Sequence, residues 1–273
     1  RRFSASSVTV QGAFDALREA GFVVSSGRHG TFVSERPPHL FSYGLVFSTS
    51  RGRPDWSNFH TALLNEAAII EAVGGISVRT YFDIRDTRET ESLERLLDDA
   101  AERRIAGLVA ISKECALVTP LLDLKGIPRV VLNAWPFHPE IPTVKFGGPR
   151  GFAEPAADYL ISRGRKRLAF ILVTGMNPMR EKEIVEILHE RGIAASPYAV
   201  QCVPSTEAHW AANLAQLMAR LSPRERPNGV VVMDDNLVEC FCAGLVAAGV
   251  RVPKDMEIVA HCNTAAEGAL ETG

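Results

Sequence analysis

From about residue 43 to residue 261 the chain alternates two kinds of segment. One is a short apolar run rich in β-prone residues; the other is a longer stretch with apolar positions at helical spacing. Runs such as GLVAI at 107–111 and GVVVM at 229–233 suit strands buried on both sides. The spacing predicts strands at 43–48, 77–82, 107–111, 128–133, 143–146, 168–173, 199–203, 229–233 and 257–261. Helices are predicted at 58–73, 88–103, 115–124, 151–162, 179–191, 207–221 and 237–248. Strands alternating with helices imply a parallel sheet wound on both faces, an α/β fold.

The rhythm breaks once, at 134–150, which holds Pro136, Pro139, Pro142, Pro149 and the pair Gly147-Gly148. That composition marks a crossover between two α/β halves rather than another strand–helix unit. Two such halves leave a cleft at the carboxyl ends of their strands, where open α/β sheets bind ligands.

The first 37 residues are of a different kind. In SSVTVQGAFDALREAGFVVSSGRHGTFV, residues 6–33, Ser6 or Ser7 is a helix N-cap and Val8, Val10, Phe14 and Leu17 share one face. Gly21 is the C-terminal stop. The triplets 22–24 and 31–33 are β-prone and separated by a turn-rich stretch, so they read as a two-stranded ribbon. Pro37-Pro38 cannot continue a helix and favours an extended linker, expected at 38–42. Ser7, Thr9, Gln11, Gly12 and Arg18 lie off the apolar stripe, and small and amide side chains at a helix start suit base edges and phosphates. The tip Gly27-Arg28-His29-Gly30 sets a cation between two permissive glycines. A plain surface helix and a routine hairpin turn are the competing readings.

Arg1-Arg2-Phe3 followed by SVTVQGAFDALREAGFVVSSGRHGTFV resembles the second half of a GntR-type winged helix-turn-helix. The resemblance implies that the helix reads the major groove, that the wing at Arg28–Val33 reaches the minor groove, and that Ser7, Thr9, Gln11, Arg28, His29 and Gly30 contact DNA. In that family a first helix and most of a second precede the matched stretch, so residues 1–37 are expected to form a partial head.

The body resembles the effector domain of LacI-type regulators, a periplasmic-binding-protein-like type 1 fold. YGLVFSTS, RRIAGLVAIS, KGIPRVVLNAWP, SRGRKRLAFI and NGVVVMDDNLVECFCAGLVAAGVRVPKDMEIVAHCNT carry the resemblance by their order and spacing. It implies a body over 43–273 with subdomains at 43–134 and 144–261, a crossover at 135–143 and a shortened tail at 262–273. It places Trp56 and Phe59 against an effector, with Trp135 at a crossover position that commonly holds arginine. Arg180 matches the family's ligand-binding arginine. Asp234-Asp235 stands where Asn-Asp is usual, and Cys262-Asn263 replaces Asp-Asp, leaving Asn263 as the polar group. Rings and fixed polar groups in this mixture suit a sugar.

Composition narrows the alternatives. A net charge of −2 excludes non-specific nucleic-acid binding by the chain as a whole. Five cysteines, an odd number without a CxxC pair, argue against a disulfide framework and fit a reducing cytoplasm. No apolar run has the length of a membrane span and no secretory signal pattern is present. There is no GxxxxGK[ST] loop, no HExxH, and no assembled nucleophile and base. No catalytic role, cofactor or metal is therefore expected. The expectation is a cytoplasmic, dimeric transcription repressor with a palindromic DNA operator and a carbohydrate effector, resembling arabinose-responsive repressors of bacteria. A sugar-binding protein without a DNA role is the alternative.

Overall fold

The computed structural model describes residues 5–85, 90–111, 126–132, 141–144, 149–173 and 179–263. The chain divides into two compact units. One comprises residues 1–53 and 63–146, the other residues 54–62 and 147–273.

The first unit opens with helix α1 (Ser7–Glu19), strand β1 (Val23–Ser25), a single 3-10 turn at Gly27–His29 and strand β2 (Thr31–Val33). Ser6 caps α1, its hydroxyl accepting from the Thr9 amide. At the other end Gly21 takes φ 85°, Gly21 N–H donates to the Arg18 carbonyl and Phe22 N–H to the Leu17 carbonyl. That double closure satisfies the orphan carbonyls and needs a left-handed residue, which glycine supplies. β1 and β2 pair antiparallel with Val23 opposite Val33. The Arg18 guanidinium ties the helix to the ribbon through the Ser25 hydroxyl at 2.9 Å. Val8 (79% exposed), Val10, Phe14 and Leu17 remain open to solvent, so the apolar face expected on α1 is present but uncovered among the described residues.

The expected linker departs from its prediction. Residues Pro38–Phe41 form a one-turn helix, α2, with both Pro37 and Pro38 buried. Proline at the first helical position lacks only an N–H that has no intrahelical partner anyway, so it starts this turn rather than preventing it.

Strand β3 (Ser42–Val46), helix α3 (Asn58–Gly74), β4 (Ser77–Tyr81), helix α4 (Glu91–Ala101), β5 (Gly107–Ala110), β6 (Arg129–Leu132) and β7 (Thr143–Val144) follow. The five strands are parallel in the order β4-β3-β5-β6-β7. Val46, Tyr81, Leu93, Leu96, Leu108 and Val131 form the core beneath α4. Within it Asp99, 3% exposed, accepts from the Tyr81 hydroxyl at 2.6 Å and from Arg79 at 3.1 Å, and pairs with Arg104. Burial, then the bond to Asp99, pushes the Tyr81 phenol well above its ordinary range.

The second unit takes the start of α3 and adds α5 (Pro149–Ser162), β8 (Leu168–Val173), α6 (Met179–Glu190), β9 (Val200–Val203), α7 (His209–Ala219), β10 (Gly229–Val232), α8 (Asp235–Ala247) and β11 (Glu257–Ala260). Its parallel sheet has the order β11-β10-β8-β9. Leu168, Phe170 and Leu172 pack with Leu160, Ile184 and Ile187 on one face. Ala169 and Ile171 pack with Ala211, Phe241 and Leu245 on the other. The period-two split of one continuous apolar strand is the direct sign of double winding.

Two helices start earlier than predicted. Proline opens α5 at position 149, and Asp234 caps α8 one residue before Asp235. The predicted helix at 115–124, residues 135–140 of the crossover and the tail beyond residue 263 lie outside the described residues.

Candidate functional site

Each parallel sheet has one point where chain order reverses: β3 lies between β4 and β5, and β8 between β9 and β10. Connections leaving such strands diverge to opposite faces, opening a concave end above their carboxyl termini. Residues 47–57 leave β3 there and lead to α3, carrying Trp56. Phe59 is in the first turn of α3. Asp234 and Asp235 follow the last residue of β10 by two and three positions. Trp56, Phe59, Asp234 and Asp235 therefore follow strands at or next to these switch points.

In the second unit Asp234 meets Asn236 and Asp235 meets Asn263. Asp234 Oδ1 accepts from the backbone N–H of Asn236 at 2.9 Å and from its amide at 2.7 Å, so this carboxylate is occupied capping α8. Asp235 Oδ2 accepts from the Asn263 amide at 3.0 Å and from its backbone N–H at 3.3 Å. Its other oxygen, Oδ1, is buried without a hydrogen-bond partner among the described residues. A carboxylate oxygen with free lone pairs beside a fixed asparagine is the acceptor chemistry that a hydroxyl-rich ligand uses. Asn236 reaches further: its Oδ1 accepts from the Asn58 backbone N–H at the start of α3, 2.8 Å away and 178 positions earlier in sequence.

That asparagine was not singled out from sequence, and neither was His60. Ser57 and His60 form a reciprocal cap at the start of α3. Ser57 N–H donates to His60 Nδ1 at 3.0 Å, and His60 N–H donates to the Ser57 hydroxyl at 3.4 Å. This is the capping box with histidine in the place of Glu or Gln, and the Ser57-x-x-His60 spacing is the signal that would have revealed it. The cap orients the rings. Trp56 lies tilted on His60 at 5.0 Å with its Nε1 donating to Thr61 at 2.9 Å, and Phe59 lies 6.2 Å from the same imidazole. Trp135 lies outside the described residues. Arg180 stands in the first turn of α6, with its side chain outside them too.

Burial depresses the His60 pKa below 6.5, with Asp55 opposing. Below 6.5 the unfolded chain binds the proton first, so the cap's contribution is complete above that pH and is lost as pH falls. Protonation also removes the Nδ1 lone pair that the Ser57 N–H uses. Protection of the Ser57 amide against hydrogen exchange, corrected for intrinsic rate, should drop by several-fold between pH 7.5 and 5.5. His60→Gln, which keeps the box, should abolish that pH dependence. An equal pH dependence in the variant would show that another group titrates.

On the helix and ribbon, Ser7, Thr9, Gln11, Arg28, His29 and Gly30 are all exposed. Thr9 bonds the Ser6 hydroxyl at 2.9 Å and Gln11 bonds Asp15 at 3.0 Å. Arg28 and His29 stand in the 3-10 turn at the ribbon tip, closed by Gly30 at φ 105°. Among the described residues no group of three or more His, Cys, Asp or Glu is placed to hold a metal, and no helix is long and apolar enough to cross a membrane.

Residues 157–271 match the family profile described as a periplasmic binding protein-like domain. A LacI family transcriptional regulator from Lactobacillus casei, solved with bound sucrose, superposes with a TM-score of 0.56 at 20% identity, covering 80% of this chain and 78% of that one. A LacI family regulatory protein from Chloroflexus aggregans gives 0.61 at 17% identity over 80% and 77%. The body has the periplasmic-binding-protein-like fold of LacI-type regulators. The arabinose metabolism transcriptional repressor of Halalkalibacterium halodurans is 23% identical over 282 residues, taking in 96% of this chain and 72% of that protein. By their names these relatives are regulators: a transcriptional repressor, a LacI family transcriptional regulator and a LacI family regulatory protein.

Proposed function

We propose that the protein is a DNA-binding transcription repressor of the cytoplasm, controlled by a small carbohydrate, with a GntR-type winged head on a LacI-type sensor. One observation carries the reading. The similarity to the arabinose repressor takes in 96% of the chain, too much to stop short of the 37-residue head. A helix and ribbon with their polar residues exposed precede the sensor fold in the same chain. The head gives a use to whatever the body binds.

In this reading Ser7, Thr9 and Gln11 on α1 face base edges and Arg28, His29 and Gly30 at the ribbon tip approach the backbone. The effector engages the strand-end groups Asp235 and Asn263, with Asp234, Trp56, Phe59, Trp135 and Arg180 as further contacts. A sugar that binds one of two conformations better shifts the population toward it. In a dimer formed through the sensor bodies, that shift alters the spacing of two heads, which grip a palindrome only when about one helical turn, roughly 34 Å, apart.

A thermal-shift screen of arabinose, other pentoses, hexoses and nucleosides tests the sensor, because a ligand of the native state alone raises the unfolding midpoint. Asp235→Ala should weaken the hit by about 10- to 100-fold, the loss of a charged acceptor for a ligand hydroxyl. An unaltered affinity would remove Asp235 from the site.

A further inference from the structure

The loops that lead into the second unit's sheet gather positive charge. Residues 163–167, 220–226 and 251–257 hold nine Lys and Arg against three Asp and Glu, in a chain whose net charge is −2. They precede β8, β10 and β11, parallel neighbours in the sheet, with Gly229 at the start of β10 level with Leu168 and Glu257. Neighbouring strands lie about 4.8 Å apart, so the three approaches share one end of the unit. It is the end opposite the carboxyl terminus of β10, where Asp234 and Asp235 follow. Hydrogen bonds tie the loops together. Arg167 N–H donates to Asn228 Oδ1 at 3.0 Å, Arg167 Nε to the Arg226 carbonyl at 2.8 Å and Arg165 Nη2 to the Pro253 carbonyl at 2.7 Å. Three of the nine cations are neutralised, Arg163 and Arg165 on Glu257 and Arg251 on Asp255. The other six make no ion pair among the described residues, and the third carboxylate, Glu225, accepts from the Ser222 hydroxyl. Of the six, Lys166, Arg167, Arg224 and Lys254 are exposed. Clustered like charge destabilises a fold through self-repulsion, so stability does not account for this arrangement.

We propose that this face is a second DNA contact, which binds the phosphate backbone of a duplex without reading its sequence. It goes beyond the regulator reading above, which puts DNA on the head alone. The composition of the face selects the partner. The three segments contain no aromatic residue, and among the described residues Val252 is their one exposed large hydrophobic. A specific protein interface needs an apolar core with aromatic anchors, and single-stranded nucleic acid needs rings on which its bases stack. Neither is present here. A duplex backbone needs only cations, because binding is driven by the release of its counterions. Seven of the nine cations are arginine, whose planar fork matches a phosphate.

The test titrates the full-length protein into a labelled duplex of unrelated sequence, between about 0.05 and 0.2 M salt. Lys166→Gln/Arg224→Gln should weaken binding about tenfold at about 0.1 M salt and flatten the slope of log K against log salt by about two, one contact for each cation removed. Neither side chain makes a bond among the described residues, so the unfolding midpoint should not move. Arg103→Gln/Lys182→Gln lowers the net charge equally at exposed positions elsewhere and should change affinity less than about twofold. Polyglutamate has about half the charge per unit length of a duplex and should compete at least about tenfold less well at equal charge. Equal losses in the two variants, or no loss in Lys166→Gln/Arg224→Gln, would overturn the face. Equal competition by polyglutamate would reassign it to an acidic protein segment and overturn the DNA assignment. Preference for the upstream duplex over the unrelated one should be the same in native protein and variant, because a phosphate contact serves all sequences alike. Absence of that preference from the native protein would sink the reading of the head and leave this face standing.

Discussion

Gly244→Val should destabilise the second unit by about 3 kcal/mol, seen as a lower urea midpoint at unchanged slope. α8 crosses α7 at this residue. A Cβ built on Gly244 would stand 2.7 Å from the Ala212 Cα and 2.8 Å from its carbonyl carbon. Both are backbone atoms, so no rotamer change relieves the overlap. The helices would have to separate, loosening Ala211, Ala215, Phe241 and Leu245, which share one core cluster with the sheet. Gly12, inside α1, is the control: a Cβ there meets nothing within 4 Å. Gly12→Ala should be neutral or stabilising by up to about 1 kcal/mol through helix propensity alone. Equal effects at both positions would contradict the packing.

Arg165→Ala should cost about 3 kcal/mol at pH 7, for a different reason. Glu257, 5% exposed at the start of β11, accepts from Arg165 Nε at 2.8 Å and from Arg163 Nε at 3.1 Å. Arg165 also donates to the Pro253 carbonyl at 2.7 Å, which aims its guanidinium. Burial pushes the Glu257 carboxyl up, but the two guanidinium bonds together outweigh it and hold the group below its ordinary 4.5. The unfolded chain then takes up the proton first as pH falls. The pair's contribution is present above about 4.5 and is lost as pH falls through the folded value. Without Arg165 a buried carboxylate keeps only the more exposed Arg163, and burial then drives it towards the neutral acid. The stability gap between native and variant should therefore be widest at pH 7 and narrow at pH 4.5. A gap independent of pH would mean that lost packing, not the charge, sets the cost.

What the sequence makes legible here depends on the range of the interaction. The strand 168–173 is readable to the residue because six apolar positions in a row admit only a doubly covered strand. Both ends of α1 are readable to within a residue, Ser6 or Ser7 at the start and Gly21 at the stop, because caps act within a few residues. Pro37-Pro38 is not. Proline breaks a helix from inside and starts one from its first position, and the outcome here is a helical turn whose Pro38 ring faces Gly21 and whose His39 stacks on Phe22, contacts between residues well separated in the chain. Between Asp234 and Asp235 the sequence does not say which is the cap. β10 ends at Val232, and the chain is extended at Asp234 and helical from Asp235. Asn236 was invisible because its partner, Asn58, lies in the other half of the sequence.

The central claim is that one chain reads DNA and is told by a sugar when to let go. Fluorescence anisotropy of a labelled duplex from the upstream region, titrated with full-length protein at several stated salt concentrations, tests it most directly. The proposal predicts sequence-selective binding that weakens steeply with salt, and a further loss of about tenfold or more on adding the sugar that raises the unfolding midpoint. Binding that is equal on unrelated duplexes, or an operator affinity unmoved by a sugar the protein demonstrably binds, would contradict it.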